Sequence, residues 1–310
     1  MTTWKALCVL ALGLFIAAGT AHGRSEVSLK ELLGDDAGRQ LFYRKSDGAL
    51  FYFEMRSGEM VRVGEAVVKK GKFDAWRGGI NADGRRFLYQ KGDTIRVVND
   101  DGAGDKAVVD GANPHWWRDP ETGTDYVVYN QDAAKIDWRG DGTGGKPTMR
   151  VGVDGGEAEQ IWAHCYDAGL SADGTHIGDA YKGAFIGNRT TGEIVGNLPP
   201  DEQHCVGSML PDNTYRMLYE KTTTHHCIVI ADTSGKIVWS FERIGSGQIF
   251  GEASANHPDF CVVSMSGDQK YYLVRISTKH YADMGVSMEQ YQRVGGPWVG
   301  TLSAAGDGAE

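Results

Sequence analysis

Three histidines occupy related positions in the chain and could form a metal site. His115, His164 and His204 each lie shortly before a turn sequence that recurs along the chain. Neutral imidazoles bind divalent metals, and a histidine can also transfer protons near neutral pH. The three side chains are therefore candidate ligands for a divalent metal. The alternative is that each histidine makes a structural hydrogen bond at the edge of a strand.

Aromatic and charged residues accompany these histidines at the starts of the repeated units. Tryptophan can stack on a sugar ring or pack against a partner surface, and arginine and aspartate add directional hydrogen bonds. The candidate ligand-binding residues are Arg77, His115, Trp116, Trp117, His164, Tyr166, Asp167 and His204. Packing within the fold is the competing interpretation for each of them taken alone.

No sequence motif identifies a catalytic residue. The chain lacks a G-x-S-x-G nucleophile motif and an H-E-x-x-H zinc motif, and "RGDGTGGKP" from Arg139 is neither a P-loop nor an EF-hand loop. No motif presents the pair of carboxylates that glycoside hydrolysis uses. The catalytic residues, and whether the protein is an enzyme, stay open at this point.

A repeated turn-and-strand pattern shows which elements must position these residues. Turns built on Asp83, Asp173, Asp212 and Asp259 are each followed by short runs rich in valine, isoleucine, tyrosine and phenylalanine. Such residues suit a pleated sheet, and a repeat of roughly 40 to 50 residues is typical of propellers and other arrays. The chain has 43 glycines and only 8 prolines, which fits many tight turns between short strands.

The pattern predicts an all-β fold: a β-propeller of four-stranded antiparallel blades. Six blades fit the repeats best, and five or seven are alternatives. The aspartate turns should join the first and second strands of the blades and lie together on one face. The candidate site residues should then gather on the opposite face, where the innermost strands begin. The first unit, "LFYRKSDGALFYFEMRSGEMVRV", has no obvious innermost strand.

The turns "NADG", "SADG" and "LPDN", each followed by a short apolar strand, resemble the repeats of TolB-like propellers, also called WD40-like repeats. The resemblance covers residues 41–278. It implies a propeller fold and a binding site near the mouth of the central channel. TolB-like propellers include periplasmic scaffolds, the gating domains of some peptidases, and oligogalacturonate lyases, so the resemblance leaves the function open.

The N-terminal 23 residues predict a secretory signal peptide. One lysine precedes an apolar run from Ala6 to Ala18, which is shorter than the roughly 20 residues needed to span a bilayer. We expect residues 24–40 to form an N-terminal extension with a short helix and residues 41–278 to form the propeller. Residues 279–310 should form a C-terminal segment with a short helix, within "SMEQYQR", and a flexible tail. The protein should be secreted or periplasmic, with no membrane span in the mature chain.

Charge and cysteine content narrow the classes of partner. The net charge of −9 and the lack of a basic run argue against nucleic-acid binding. Four cysteines follow the leader, which permits disulfides in an exported protein. Cys165 and Cys205 precede successive turns by similar distances, so they are a candidate pair if their Cα atoms lie within about 7 Å.

Two functions remain from the sequence. The first is a binding or scaffold module that holds a carbohydrate or a protein partner at the face rich in histidine and aromatic residues. The second is a metal-assisted polysaccharide lyase or hydrolase, in which a divalent metal held by His115, His164 and His204 would neutralise a uronate carboxylate and so acidify the adjacent C–H bond.

Overall fold

The structure, a computed structural model, describes residues 24–71, 75–131, 146–165, 169–179, 185–197, 207–221 and 225–302. Six antiparallel sheets contain nearly all the strands of these ranges, and only one short helix is present among them. Each sheet has four antiparallel strands in an equivalent order, and one sheet has a fifth, two-residue strand that pairs in parallel. The molecule is therefore a six-bladed β-propeller. The predicted fold class and the preferred blade number are confirmed.

The elements follow one another along the chain with short connections. The first part contains α1 (Leu29–Leu33), β1 (Ala37–Arg44), β2 (Ala49–Glu54), β3 (Glu59–Val67), β4 (Lys69–Lys70), β5 (Gly79–Ile80), β6 (Arg86–Gly92), β7 (Thr94–Asn99) and β8 (Lys106–Asp110). The middle part contains β9 (Ala112–Arg118), β10 (Asp125–Asn130), β11 (Lys146–Gly152), β12 (Glu159–Cys165), β13 (Gly169–Leu170), β14 (His176–Asp179), β15 (Phe185–Asn188) and β16 (Ile194–Asn197). The last part contains β17 (Gly207–Met209), β18 (Met217–Lys221), β19 (Cys227–Ala231), β20 (Ile237–Glu242), β21 (Ile249–Ala253), β22 (Phe260–Met265), β23 (Lys270–Arg275), β24 (Tyr281–Ser287) and β25 (Tyr291–Gly300).

The blades follow the chain from the innermost strand outward, with one exception. Blades 2 to 6 begin with β5, β9, β13, β17 and β21, and each adds its next three strands in turn. The two-residue strand β4 pairs in parallel with the end of β6. In blade 1 the innermost strand is β25, which pairs antiparallel with β1. The C-terminal strand therefore supplies the strand that the first unit lacks and closes the ring.

The predicted C-terminal helix is wrong. Ser287 ends β24, and the residues after Gln290 belong to β25, where Leu41 pairs with Val294. Met, Glu and Gln are good helix formers, but pairing with β1 and burial of most of β25 override that local preference. The propeller strands thus run from Ala37 to Gly300, beyond the 41–278 range expected from the repeats.

The helix expected in the N-terminal extension is present as α1. The Ser28 side chain accepts a hydrogen bond from the Glu31 N–H at 3.1 Å, and Gly34 ends the helix with a φ of 63°. Leu32 and Leu33 are buried against blades 1 and 6. The helix is too short to cross a membrane, and no helix within the described residues is long and apolar enough to do so.

Turns between the first and second strands lie together on one side of the disc, which we call the turn face. Residues 81–85, 119–124, 171–175, 210–216 and 254–259 form these turns in blades 2 to 6. Asp173 shows how they are held: its carboxylate accepts hydrogen bonds from the Thr175 N–H and from the Tyr215 hydroxyl of the next blade. The aspartate turns therefore occupy equivalent places, as the repeat predicts.

The core lies between neighbouring blades rather than at the centre of the disc. Leu41, Leu50 and Phe87 pack in one such layer between blades 1 and 2. Cys227 and Cys261 are buried in the same kind of layer, and burial raises the pKa of the Cys261 thiol. The side chain of Cys165 and all of Cys205 lie outside the described residues, so their pairing stays a prediction.

Candidate functional site

A cavity of about 430 Å³ lies at the centre of the propeller, and every blade contributes to its wall. The innermost strands or the residues flanking them supply Gly296, Ile80, Trp116, Leu170, Met209 and Glu252 from blades 1 to 6. Convergence of six strand ends gives a concave surface that no single blade could form. The cavity is thus the central channel of the fold, where propeller ligands were expected.

The lining of the cavity extends to the turn face. Residues of five turns contribute to it: Ala82, Asp119, Pro120, Ala172, Pro211 and Asn256. We call these six residues the mouth. The site was predicted on the opposite face, but the cavity that the structure describes reaches the side that carries the aspartate turns. The long connection from residue 132 to 145, expected beside the predicted site, lies outside the described residues.

One wall of the cavity contains a buried ion cluster. Glu252 of blade 6 lines the cavity, and its Oε2 accepts a hydrogen bond from Nη1 of Arg77 at 2.8 Å. Nη1 of Arg293, in blade 1, donates to the same oxygen and also to the Gly295 carbonyl at 2.9 Å. All three side chains are about 3% exposed. A buried charge is tolerated only when it is paired and hydrogen-bonded, so the cluster joins blades 6, 1 and 2 across the closure of the ring.

A second carboxylate lies near this cluster. Glu220 is fully buried, and Nδ1 of His225 lies 2.9 Å from its Oε2. Burial raises the pKa of Glu220, while the charges of His225, Arg77 and Arg293 act in the opposite direction. The arginines of the cluster therefore act electrostatically on carboxylates from two blades.

Arg77 was predicted to contact a ligand directly, and the structure gives it a different place. Its side chain is buried and engaged with Glu252, so a ligand in the cavity would meet Glu252 first. The sequence indicated a charged residue at the start of the second blade correctly. It did not reveal Glu252 or Arg293, because Glu252 binds Arg77 from a distant part of the sequence. A charged residue inside the apolar run "IFGEASA" was the available signal.

His115 lines the cavity but does not lie at the start of its strand. It is the fourth residue of β9 and pairs with Val128 of β10, so it belongs to the wall of the channel. Its side chain is half-buried. Of the three predicted metal ligands, His115 is the one whose side chain the structure describes.

Trp116 and Trp117 reach the cavity, yet both indoles are used in packing between blades. The Trp117 Nε1 donates to the Ser171 carbonyl of blade 4, and the Trp116 Nε1 donates to the Gly79 carbonyl of blade 2, each at 3.0 Å. The guanidiniums of Arg86 and Arg150 lie over the rings of Trp116 and Trp117 at 5.6 and 5.5 Å. The structural interpretation of these tryptophans is therefore the stronger one.

Trp298 in β25 plays the same part as Trp117 and was not singled out by the sequence. Its Nε1 donates to the Ala82 carbonyl of blade 2 at 2.9 Å. Its ring fills the space at Gly84, just as the Trp117 ring fills the space at Gly174. A tryptophan of one blade thus packs on the glycine of the next blade's aspartate turn, which explains why glycine recurs there.

The other predicted site residues cannot be placed around the cavity. The backbone of His164 belongs to β12, the outermost strand of blade 3, and its side chain is not described. Tyr166, Asp167 and His204 lie outside the described residues. Within the described part of the chain, no group of three or more His, Cys, Asp or Glu side chains is placed to hold a metal. The three-histidine metal site therefore stays a prediction.

The mouth and the lining residues beside it combine charged and apolar side chains, since Asp119, Arg118 and Asp125 lie beside Pro120 and Pro211. The Asp119 carboxylate accepts hydrogen bonds from the backbone N–H groups of Glu121 and Thr122 at 2.9 and 3.3 Å, and these bonds lower its pKa. Asp125 binds Arg86 at 3.1 Å. Ile80 and Leu170 add apolar side chains to the wall. A largely apolar lining with a few polar groups is the usual composition of a binding site.

Comparison with solved structures matches this fold to known propellers. A protein assigned as TolB from Agrobacterium tumefaciens is 12% identical, with a TM-score of 0.55 over 87% of this chain and 99% of its own. TolB from Acinetobacter baumannii is 9% identical, with a TM-score of 0.59 over 86% of this chain and 66% of its own. A chain of a nidogen/laminin complex is 10% identical, with a TM-score of 0.58 over 86% of this chain and 100% of its own.

The chain has a TolB-like β-propeller fold. The resemblance expected from the turn sequences is confirmed at the level of the fold. No protein-family model matches the sequence, and a search of curated proteins finds no match. At identities this low the TolB-like fold carries no function with it, and the cavity must be interpreted from its own residues.

Proposed function

We propose that this protein is an exported binding module that holds a protein partner at the mouth of its central cavity. The observation that carries the proposal is the cavity itself, which is lined by all six blades and extends to the turn face. Because the wall is built from the inner strands of a closed ring, binding a partner should cost the module little conformational entropy.

The surroundings of the tryptophans favour a protein partner over a carbohydrate. A sugar ring would need an open aromatic face on which to stack. Trp117 is 8% exposed, and guanidinium groups lie over the rings of both Trp116 and Trp117. A protein segment can instead insert an apolar side chain against Ile80 and Leu170 and hydrogen-bond to polar lining groups such as Asn256.

Export to the periplasm or out of the cell is part of the proposal and rests on the N-terminal sequence. The apolar run from Ala6 to Ala18 fits a leader that is removed. Arg24, the first described residue, donates a hydrogen bond from Nη1 to the Glu242 carbonyl at 2.7 Å and lies over the Phe241 ring. The chain just after the predicted leader therefore contacts blade 5.

The described residues do not test the enzymatic alternative. A metal-assisted lyase would need His164 and His204 beside His115, and their side chains are not among those described. His115 lines the cavity, and this position fits either a contact with a protein partner or a metal ligand. The lyase therefore remains a prediction that rests on the sequence.

Site-specific photo-cross-linking tests the proposed function. We would replace Pro120, an exposed residue of the mouth, with a photoreactive amino acid and irradiate cells that produce the protein. The proposal expects a discrete protein adduct that mass spectrometry can identify. The matched control is the same replacement at Glu59, an exposed residue at the start of the outer strand of blade 1.

An adduct formed from Pro120 and not from Glu59 supports a partner at the mouth. Equal adducts from both positions, or none from Pro120, would contradict the proposal. If Pro120 gives no protein adduct and sugar analysis finds oligosaccharide bound to the purified protein, the partner is a carbohydrate and not a protein.

A further inference from the structure

Two neighbouring blades expose apolar side chains on their outermost strands. Among the described residues, the large hydrophobic side chains that are exposed are four: Ile194 (56%), Val195 (39%), Ile237 (37%) and Val238 (46%). The first two begin β16 of blade 4, and the last two begin β20 of blade 5. We call these four residues the edge patch.

The two halves of the edge patch are equivalent and adjacent. Ile194 pairs with Gly187 of β15, and Ile237 pairs with Ala231 of β19, so both stand at the start of the outer strand after the same kind of turn. The backbone of Gly196 in β16 packs against the backbone of Thr233 in the turn that leads into β20. The patch is therefore one surface shared by two blades.

Other outer strands are protected from association. An outer strand exposes backbone groups that can pair with another chain, and proteins block such edges with charges or cover them. Glu59, Arg62 and Glu65 stand on β3, and Lys106 and Asp110 on β8. The edge of β24 is bridged by Glu26 of the N-terminal segment. The four residues of the edge patch are themselves apolar, and Arg24 binds only the opposite end of β20, at the Glu242 carbonyl.

The charges that flank the patch are opposite. Glu193 immediately precedes Ile194, and Lys236 immediately precedes Ile237, so the two strands read Glu-Ile-Val and Lys-Ile-Val at matching heights. Both charged residues are exposed. Each strand therefore presents the complement of the other: the same apolar pair, preceded by a charge of the opposite sign.

We propose that the edge patch is a homodimer interface in which β16 of one copy lies beside β20 of the other. The outer strands of all blades run in the same direction, because every blade repeats one strand order. A two-fold axis parallel to the channel leaves the strand direction unchanged. It gives two equivalent contacts, each between blade 4 of one copy and blade 5 of the other. This arrangement places each Glu193 next to a Lys236 and closes after two copies.

The geometry also predicts a modest affinity. The contact consists of short edge strands rather than a broad face, so the buried area falls at the low end for specific interfaces. We expect dimerisation to depend on concentration. The mouth lies at the centre of the disc and the edge patch on its outer rim, so dimerisation leaves both cavities of the pair accessible.

Sedimentation velocity of the purified protein, over about a hundredfold range of concentration, tests the proposal. We expect the wild type to shift from monomer to dimer. Val195→Lys places a charge in the patch and should weaken the dimer at least about tenfold. The matched control, Ala107→Lys, adds the same charge to the protected outer strand of blade 2 and should change nothing.

Charge exchange distinguishes this arrangement from any other contact. Glu193→Lys and Lys236→Glu should each weaken the dimer, because like charges then face each other at both ends of the interface. The double variant should restore it. Circular dichroism would confirm that each variant remains folded. A monomer at every concentration, or a dimer that ignores these exchanges, would overturn the proposal.

Discussion

Blades 4 and 6 share one strand order but are packed in different ways. The strands of blade 4 have two to four residues, whereas those of blade 6 have five to seven. Blade 6 fills its layers with its own side chains, among them Phe260, Val262 and Leu273, all fully buried. The neighbouring blades therefore pack against an apolar surface that blade 6 itself provides.

Blade 4 leaves space that its neighbours fill. Gly178 lies against the side chains of Met209 and Met217 from blade 5, and Gly187 lies against the Trp162 ring of blade 3. A glycine inside a strand gives a close approach to an adjacent layer but contributes no side chain of its own. The same topology is thus stabilised from within in blade 6 and from outside in blade 4. We expect substitutions in blade 6 to cost more.

The largest effect should come from the ion cluster of blade 6. Glu252→Gln leaves the buried guanidiniums of Arg77 and Arg293 without their shared carboxylate. Breaking a buried pair in this way destabilises a protein by about 3–5 kcal/mol. Denaturation in urea should report this loss. Glu242→Gln, at the exposed end of β20, is the matched control and should change the free energy of unfolding by less than about 0.5 kcal/mol.

A smaller effect is expected at the turn glycine of blade 4. Gly174 has a φ of 69°, and a Cβ there would lie 2.6 Å from Cζ2 of Trp117. Gly174→Ala should therefore combine backbone strain with a steric clash and destabilise the protein by about 2–3 kcal/mol. Gly192→Ala provides the control, because Gly192 has a φ of 74° with no atom near its Cβ position. It should cost only about 1 kcal/mol, and equal costs at both glycines would show that the tryptophan contact contributes nothing.

The smallest effect concerns the Asp173 turn between blades 4 and 5. Burial acts to raise the pKa of Asp173, but hydrogen bonds from Ser171, Thr175 and Tyr215 outweigh it and lower the pKa to about 2. An unfolded chain would have a pKa near 3.9, so the stabilisation is complete above about pH 4 and is lost as the pH falls toward 2.

Asp173→Asn tests that dependence. The substitution should lower the free energy of unfolding at pH 7 by about 1 kcal/mol or less, because the side chain is partly exposed. The difference from the wild type should shrink as the pH is lowered from 4 to about 2, which urea titrations at each pH can follow. A difference that stays constant over this range would mean that the carboxylate charge is not what the turn uses.

Much of the fold follows from local sequence signals. The aspartate turns fixed the period, and the valine- and tyrosine-rich runs after them are the second strands of the blades. The innermost strand of blade 1 could not be found in this way, because β25 and its partner β1 lie at opposite ends of the chain. The helix predicted in Ser287–Arg293 failed for the same reason, since a pairing partner far away in sequence outweighs local propensity.

The candidate site was predicted only in part. His115, Trp116 and Trp117 line the cavity, as expected of residues from an innermost strand, and Arg77 lies behind it. The sequence could not show that the indoles and Arg77 are already engaged, because Ser171, Gly79 and Glu252 belong to other blades. The extension of the cavity to the turn face could not be predicted, because turn residues such as Asn256 have no distinctive chemistry until five turns converge.

The proposed function depends most directly on a partner bound at the mouth. Once cross-linking has identified the partner, calorimetry can compare its affinity for the wild type, Ala255→Trp and Ala107→Trp. Ala255 is exposed and lines the cavity, so an indole there blocks the mouth without disturbing the core, whereas Ala107 lies on the outer strand of blade 2. We predict that Ala255→Trp weakens binding at least about tenfold and that Ala107→Trp does not. Equal affinities for all three proteins would contradict the central claim.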